Sequence, residues 1–274
     1  MIRALGLVLG LCVIASTAQS ACGSAPTACK MPAGEYHIAL PESGSAPIVV
    51  FLHGAGSNGA NVMRNTGMVN SLRRRGYAVL APTGARIFGK GPGRSWNFLP
   101  EMQGRDETRF LQDVVADAAD RFDLNPKRVL LAGFSAGGFM VNYLACTAPD
   151  TFAAYAPVSG GFWRPQPERC GGPVRLFHTH GWRDATVPLE GRFLGEGRYQ
   201  QGDIFAGLQL WRATNLCGDE KPSSTALTDP FWRRKWEDCT QDSALELALF
   251  SGAHQVPPGW ADMVLDWFET PLKN

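Results

Sequence analysis

The chain has 274 residues, 45% of them hydrophobic, and its 26 Lys and Arg nearly balance 25 Asp and Glu for a formal net charge of +1. No basic run is longer than Arg73-Arg74-Arg75 or Arg233-Arg234-Lys235, so the electrostatic footprint expected of a nucleic-acid partner is missing. The length suits one α/β domain with a substantial core and calls for no second domain.

The chain opens MIRALGLVLGLCVIASTAQSA, with Arg3, an apolar run from Ala4 to Ala15, and small residues Ala18 and Ser20 spaced for signal-peptidase cleavage. This reads as a secretory signal over residues 1–20 followed by a single catalytic domain over 21–274, exported to the periplasm or the medium. The run falls short of the roughly 20 residues a membrane span needs. Acylation at Cys22, which follows Ala21, is the competing reading, but Gln19 stands where such signals usually carry leucine.

Six of the seven cysteines remain after cleavage: Cys22, Cys29, Cys146, Cys170, Cys217 and Cys239. An even number in an exported chain predicts disulfides, with the pairing left open. No CxxC pair supports a metal site.

Apolar runs bounded by glycine or proline predict strands at Glu35–Leu40, Pro47–Leu52, Tyr77–Ala81, Arg128–Ala132, Val174–Thr179 and Leu245–Phe250. Helical periodicity lies between them at Asn61–Arg75, Asp106–Phe122, Ala136–Cys146, Asp203–Thr214 and Trp260–Glu269. This alternation predicts an α/β fold with a mostly parallel central sheet and helices on both faces. Gly84–Pro100 and Trp163–Pro173 read as loops, and Gly218–Asp238 as an irregular, proline-containing stretch.

The strand ending at Ala132 runs into Gly133-Phe134-Ser135-Ala136-Gly137 and then a helix. That is the setting in which a G-x-S-x-G turn lifts a serine above the sheet, with the helix N-terminus directed at it. A serine hydroxyl is a poor nucleophile without a base, and the partners in such a fold follow as acid, then histidine. His37 and His53 come before Ser135, and His178 and His180 fall in the strand that should deliver the acid, which leaves His254. Asp184, in the loop after that strand, is placed to orient the imidazole; its competing role is a turn aspartate paired with Arg183.

An oxyanion needs two backbone donors: Ala136 after the serine, and Ala55 or Gly54 in the loop Leu52-His53-Gly54-Ala55-Gly56. His53 reads as a loop anchor. His178 and His180 could share a strand face, but no third ligand is spaced to join them in a metal site. Trp96, Trp182 and Phe134 are the candidate substrate contacts.

Together, Leu52 to Gly56, Leu124 to Val129 leading into Gly133 to Gly138, Ala148 to Ala154, His180-Gly181 with Asp184 and Val187-Pro188, and Gly252-Ala253-His254 resemble the secreted polyhydroxybutyrate depolymerase-like esterases. That α/β-hydrolase family includes feruloyl and acetylxylan esterases. The resemblance implies cofactor-free hydrolysis of polymeric or oligomeric esters by Ser135, Asp184 and His254. It also suggests a Cys217–Cys239 disulfide, which leaves Cys22 with Cys29 and Cys146 with Cys170. Family members usually carry glycine before the histidine and Trp-Pro after it, where Ala253 and Gln255-Val256-Pro257 stand here. Two other functions fit the sequence: a peptidase of the same fold, and a catalytically silent binding protein that presents Trp96, Trp163, Trp182, Trp232 and Trp236 to carbohydrate or aryl groups.

Overall fold

A computed structural model describes residues 22–23, 27–42, 45–218, 221–240 and 242–272. The expected signal lies outside the described residues.

In chain order the strands are β1 (Cys29–Met31), β2 (Gly34–Ala39), β3 (Ile48–Leu52), β4 (Ala78–Pro82), β5 (Arg86–Ile87), β6 (Arg94–Ser95), β7 (Val129–Phe134), β8 (Ala154–Val158), β9 (Arg175–Gly181), β10 (Arg192–Leu194), β11 (Tyr199–Gln201), β12 (Ser224–Thr228), β13 (Phe231–Trp236) and β14 (Ala244–Phe250). The helices are α1 (Gly59–Met63), α2 (Thr66–Arg74), α3 (Glu107–Phe122), α4 (Ala136–Thr147), α5 (Ile204–Thr214) and α6 (Trp260–Glu269).

Ten strands form one sheet in the order β1-β2-β4-β3-β7-β8-β9-β14-β13-β12. The six from β4 to β14 are parallel, and antiparallel strands extend both edges. β3, β4, β8 and most of β7 are buried on both faces, as parallel strands covered on both sides must be. Alternation divides their side chains between two cores: Ile48, Val50 and Leu52 pack with α3, α4 and α5, while Val49 and Phe51 pack with α1, α2 and α6. This is the expected mostly parallel sheet with helices on both faces. No helix among the described residues is long and apolar enough to cross a membrane.

Several expectations change. The single helix over Asn61–Arg75 is two, because the Asn65 side chain accepts from the Met68 N–H and caps a second start. β8 was not foreseen: Ala154, Ala156 and Pro157 give a weak strand signal, yet all five of its residues are buried between β7 and β9. The stretch Gly218–Asp238 is not irregular but folds back on itself as the β12–β13 hairpin at the edge of the sheet.

Disulfides join Cys22 to Cys29, Cys146 to Cys170, and Cys217 to Cys239. The last closes the segment holding the β12–β13 hairpin, tying the turn after α5 to the loop between β13 and β14. In the chain-entropy account a loop of this size contributes about 3 kcal/mol. Cys217→Ser/Cys239→Ser is expected to lower the thermal midpoint by several degrees in scanning calorimetry, and an unchanged midpoint would show that the hairpin holds without the bond.

Candidate active site

β7 ends at Phe134, and Ser135 turns the chain into α4 with φ 57° and ψ −116°. A non-glycine residue at positive φ is strained, and here close backbone packing holds it. A Cβ on Gly137 would lie 2.3 Å from the Leu52 carbonyl oxygen, and one on Gly133 would lie 2.6 Å from the Gly137 carbonyl carbon. Only glycine at both positions lets β3, β7 and α4 meet this closely. The Ser135 N–H donates to the Val158 carbonyl at 2.9 Å.

The His254 loop follows β14 and the Asp184 loop follows its parallel neighbour β9, so strand pairing brings the two together. The loops are then joined directly: the Trp182 N–H donates to Phe250 O at 2.7 Å, Arg183 N–H to Gly252 O at 2.9 Å, and Arg183 Nε to Ser251 O at 2.7 Å. Arg183 thus binds the histidine loop and makes no ion pair with Asp184.

Ser135 Oγ lies 2.9 Å from His254 Nε2, and His254 Nδ1 lies 2.7 Å from Asp184 Oδ2. With the imidazole neutral, Nδ1–H donates to the carboxylate and the serine O–H donates to Nε2. The Asp184 carboxylate is fully buried, and its Oδ1 accepts from the Thr186 and Val187 N–H groups at 2.9 and 2.8 Å. Burial pushes this carboxyl upward, but the bonds from His254 and Val187 outweigh it and hold it below the ordinary carboxylate value. The Phe134 ring packs on the His254 ring at 4.6 Å.

Beside this row is the loop after β3. Gly54 lies against Ser135, where a Cβ would come within 3.3 Å of the serine Cβ, and Ala55 stands exposed at the crest of the turn. Ala136 opens α4 directly after the serine. His53 fixes the loop from below: Nδ1–H donates to Gly54 O at 2.8 Å and Nε2 accepts from the Gly84 N–H at 3.0 Å. Trp96 is fully buried and donates Nε1–H to the His53 carbonyl at 2.8 Å. It is therefore a support for the loop and not a surface for substrate, which corrects its expected role. Trp182, by contrast, is 59% exposed.

The stretch Gly84–Pro100, read as a loop, contains the β5–β6 ribbon, which clamps the β3 loop through Gly56 N–H to Arg94 O and Arg94 N–H to Ser57 O, both 2.9 Å. Near its tip Ile87 and Phe88 are exposed, and the Phe88 ring reaches over Gly56. Two bulky apolar residues flanked by glycine-rich turns were the sequence signal for this element.

Behind Asp184, His178 and His180 are buried with parallel rings; His178 Nε2–H donates to His180 Nδ1 at 3.0 Å, and His180 Nε2–H donates to Val187 O at 2.8 Å. Among the described residues no group of three side chains is arranged to hold a metal. Burial holds both imidazoles below their ordinary value and pushes His53 down to about 4. A histidine with a lowered folded value binds fewer protons than the unfolded chain. Its contribution is therefore complete above about pH 6.5 and declines as the pH falls toward 4. At ~1.4 kcal/mol per unit, His53 alone accounts for a loss of about 3 kcal/mol across that window. Urea unfolding should show the midpoint falling steadily from pH 7 to pH 4.5, and a flat profile would contradict these burials.

The family described as esterase PHB depolymerase matches residues 35–164, a stretch that holds Ser135 and stops short of Asp184 and His254. A bifunctional acetylxylan esterase/xylanase of Neocallimastix patriciarum is 28% identical over 231 residues, covering 81% of this chain and 31% of that one. Feruloyl esterase B of Piromyces equi is 30% identical over 152 residues, covering 50% of this chain and 27% of that one. The chain thus spans less than a third of the length of these two curated relatives. Among solved structures, the acetyl xylan esterase from Aspergillus awamori superposes with a TM-score of 0.63 at 16% identity, covering 85% of this chain and 93% of that one. These findings bear out the resemblance to the polyhydroxybutyrate depolymerase-like esterases, and the chain has the α/β-hydrolase fold.

Proposed function

We propose that the chain is a serine hydrolase of carboxylic esters, with Ser135 as nucleophile, His254 as base and Asp184 as the group that orients it. The observation that carries this reading is the unbroken hydrogen-bonded row from Ser135 Oγ to the buried Asp184 carboxylate, held on a strained strand-to-helix turn. As Oγ attacks the ester carbonyl carbon, Nε2 of His254 takes its proton, and the Asp184 carboxylate stabilises the imidazolium. The negative oxygen of the tetrahedral intermediate accepts from the N–H of Ala136 and from that of Ala55 or Gly54. As the bond from the acyl carbon to the alkoxy oxygen breaks, His254 returns the proton to that oxygen, the alcohol departs, and the acyl group stays on Ser135 Oγ. Water, deprotonated by the same imidazole, then releases the acid.

The substrates in this reading are polymeric or oligomeric esters: hydroxyalkanoate oligomers, or feruloyl and acetyl esters of polysaccharides. The esterase names among the relatives support that class. Export of a single catalytic domain over 21–274 belongs to the same reading. It is supported by the three disulfides, which persist in oxidising compartments.

Ser135→Ala is expected to keep the fold and lose at least about 10³-fold in turnover of p-nitrophenyl esters, together with fluorophosphonate labelling. Retention of more than about a tenth of the rate in a sample free of wild-type enzyme would overturn the nucleophile assignment. Asp184→Asn should leave the protein folded and lower kcat by orders of magnitude, since the amide fixes the wrong imidazole tautomer. A near-normal kcat would place the orienting acid elsewhere.

A further inference from the structure

Two short ribbons stand at the catalytic end of the sheet. β5–β6 follows β4 and is bridged to the loop after β3, where Ser57 pairs with Arg94. β10–β11 follows β9 and is held by the loop after β8: Trp163 pairs with Gln201, the Arg164 N–H donates to Gln200 O at 2.8 Å, and Tyr199 meets Trp163 edge to face at 5.9 Å. β3 and β8 are the two neighbours of β7, which runs into Ser135. The ribbons are therefore anchored on either side of the serine turn.

Both ribbons turn through glycine, and a Cβ on Gly89, Gly91 or Gly197 would meet nothing within 4 Å, so their tips project clear of the body. The tips carry bulky apolar side chains: Ile87 is 71% exposed and Phe193 66%, and Phe88 and Tyr199 are half-exposed. Such groups gain by leaving water. Cations accompany them. Arg86, Lys90 and Arg94 lie on the first ribbon, with no carboxylate between residues 84 and 100, and Arg192 and Arg198 lie on the second beside Glu190 and Glu196. Among the described residues none of these five cations is in an ion pair. Five cations against two carboxylates concentrate positive charge at this end of a chain whose formal net charge is only +1.

We propose that the two tips form a docking surface for an anionic lipid membrane, so that the catalytic end of the sheet faces the bilayer. Docking of this kind goes beyond ester hydrolysis and does not depend on it. Ile87 and Phe193, the most exposed of the four, enter the boundary between headgroups and acyl chains, and the cations lie among the lipid phosphates. Arginine and lysine suit that depth, because their stems lie along apolar surface while their charges stay in the headgroup layer. A fluid bilayer accepts apolar side chains at two separate tips without a matching shape, whereas a folded protein partner must be complementary to both at once. A neutral polyester or polysaccharide would leave the five cations without counter-charge.

The test is cosedimentation of the protein with vesicles of phosphatidylcholine and phosphatidylglycerol, and with vesicles of phosphatidylcholine alone, at low and high salt. The expected result is binding to the anionic vesicles that salt weakens by screening. Lys90→Gln/Arg192→Gln should weaken it roughly fivefold for each cation removed, and Ile87→Asp/Phe193→Asp by at least about tenfold. All four side chains are exposed, so circular dichroism and p-nitrophenyl acetate turnover without vesicles should match wild type, which separates docking from damage to the fold or the site. Failure to bind anionic vesicles, or binding that neither variant weakens, overturns the proposal. Equal binding to neutral and anionic vesicles also overturns it, since the cations then contribute nothing. Adsorption to polyhydroxybutyrate granules, lost in Ile87→Asp/Phe193→Asp, by a protein that binds no vesicle assigns the tips to polymer and overturns the lipid. A dimer that the same variant dissociates, again without vesicle binding, assigns them to a second copy of the chain and overturns it too. Salt-sensitive vesicle binding by a protein that turns over no ester upholds the docking and sinks the hydrolase reading alone.

Discussion

The site depends on one steric constraint, the backbone contact between α4 and the end of β3. With a Cβ on Gly137 only 2.3 Å from Leu52 O, the helix can cross the strand at this distance only because no side chain projects from Gly137. That crossing forces Ser135 into its positive φ, a conformation that costs of the order of 1–3 kcal/mol. The burial of Ala136 through Cys146 offsets the strain, since α4 is an apolar helix enclosed by the sheet and its neighbours. The same contact brings Gly54 alongside the serine, so the orientation of the nucleophile and the position of the loop that would meet an oxyanion are set by one piece of packing.

The other two members of the row are positioned by a separate device. β9 and β14 are adjacent and parallel, so their ends come out side by side, and three bonds between the following loops fix the offset between Asp184 and His254. Gly181 is part of this lock, because a Cβ there would meet Ala253 O at 2.3 Å. The buried His178–His180 pair completes it from behind. His180 Nε2 is 3.6 Å from Asp184 Oδ2, and a charge there would compete with His254 for the carboxylate. Burial holds the His180 imidazole below its ordinary value, its N–H is committed to Val187 O, and His254 is the nearer partner of Asp184.

Much of this was legible in the sequence because it rests on local signals. Gly133 and Gly137 around Ser135 mark the turn, chain order singles out Asp184 and His254, and near-continuous apolar runs mark the parallel strands. What was not legible depends on contacts distant in sequence. Trp96 looked like a substrate contact because nothing local shows that its indole N–H reaches the His53 carbonyl, 43 residues away. The β12–β13 hairpin was hidden because Ser224–Thr228 is exposed along its length and joins the sheet by edge pairing alone, without the burial that writes an apolar pattern into a strand. β8 had the opposite difficulty, since Ala154, Ala156 and Pro157 break up the β-branched and aromatic pattern that only Tyr155 and Val158 carry.

With the exception of β8, the division between legible and hidden elements coincides with a division of labour. The parallel strands from β4 to β14 carry the residues proposed to do chemistry, and their geometry tolerates little change because it is fixed by backbone contacts such as those of Gly133, Gly137 and Gly181. The β5–β6 ribbon with Ile87 and Phe88, and the β12–β13 hairpin with Leu227 and Trp232, are attached outside that frame by edge pairing or a few backbone bonds. Their exposed apolar side chains can change without disturbing the elbow or the β9–β14 lock, because none of them packs inside either core. The hydrogen-bonded row is therefore independent of these two elements, which can vary in sequence without moving Ser135, Asp184 or His254.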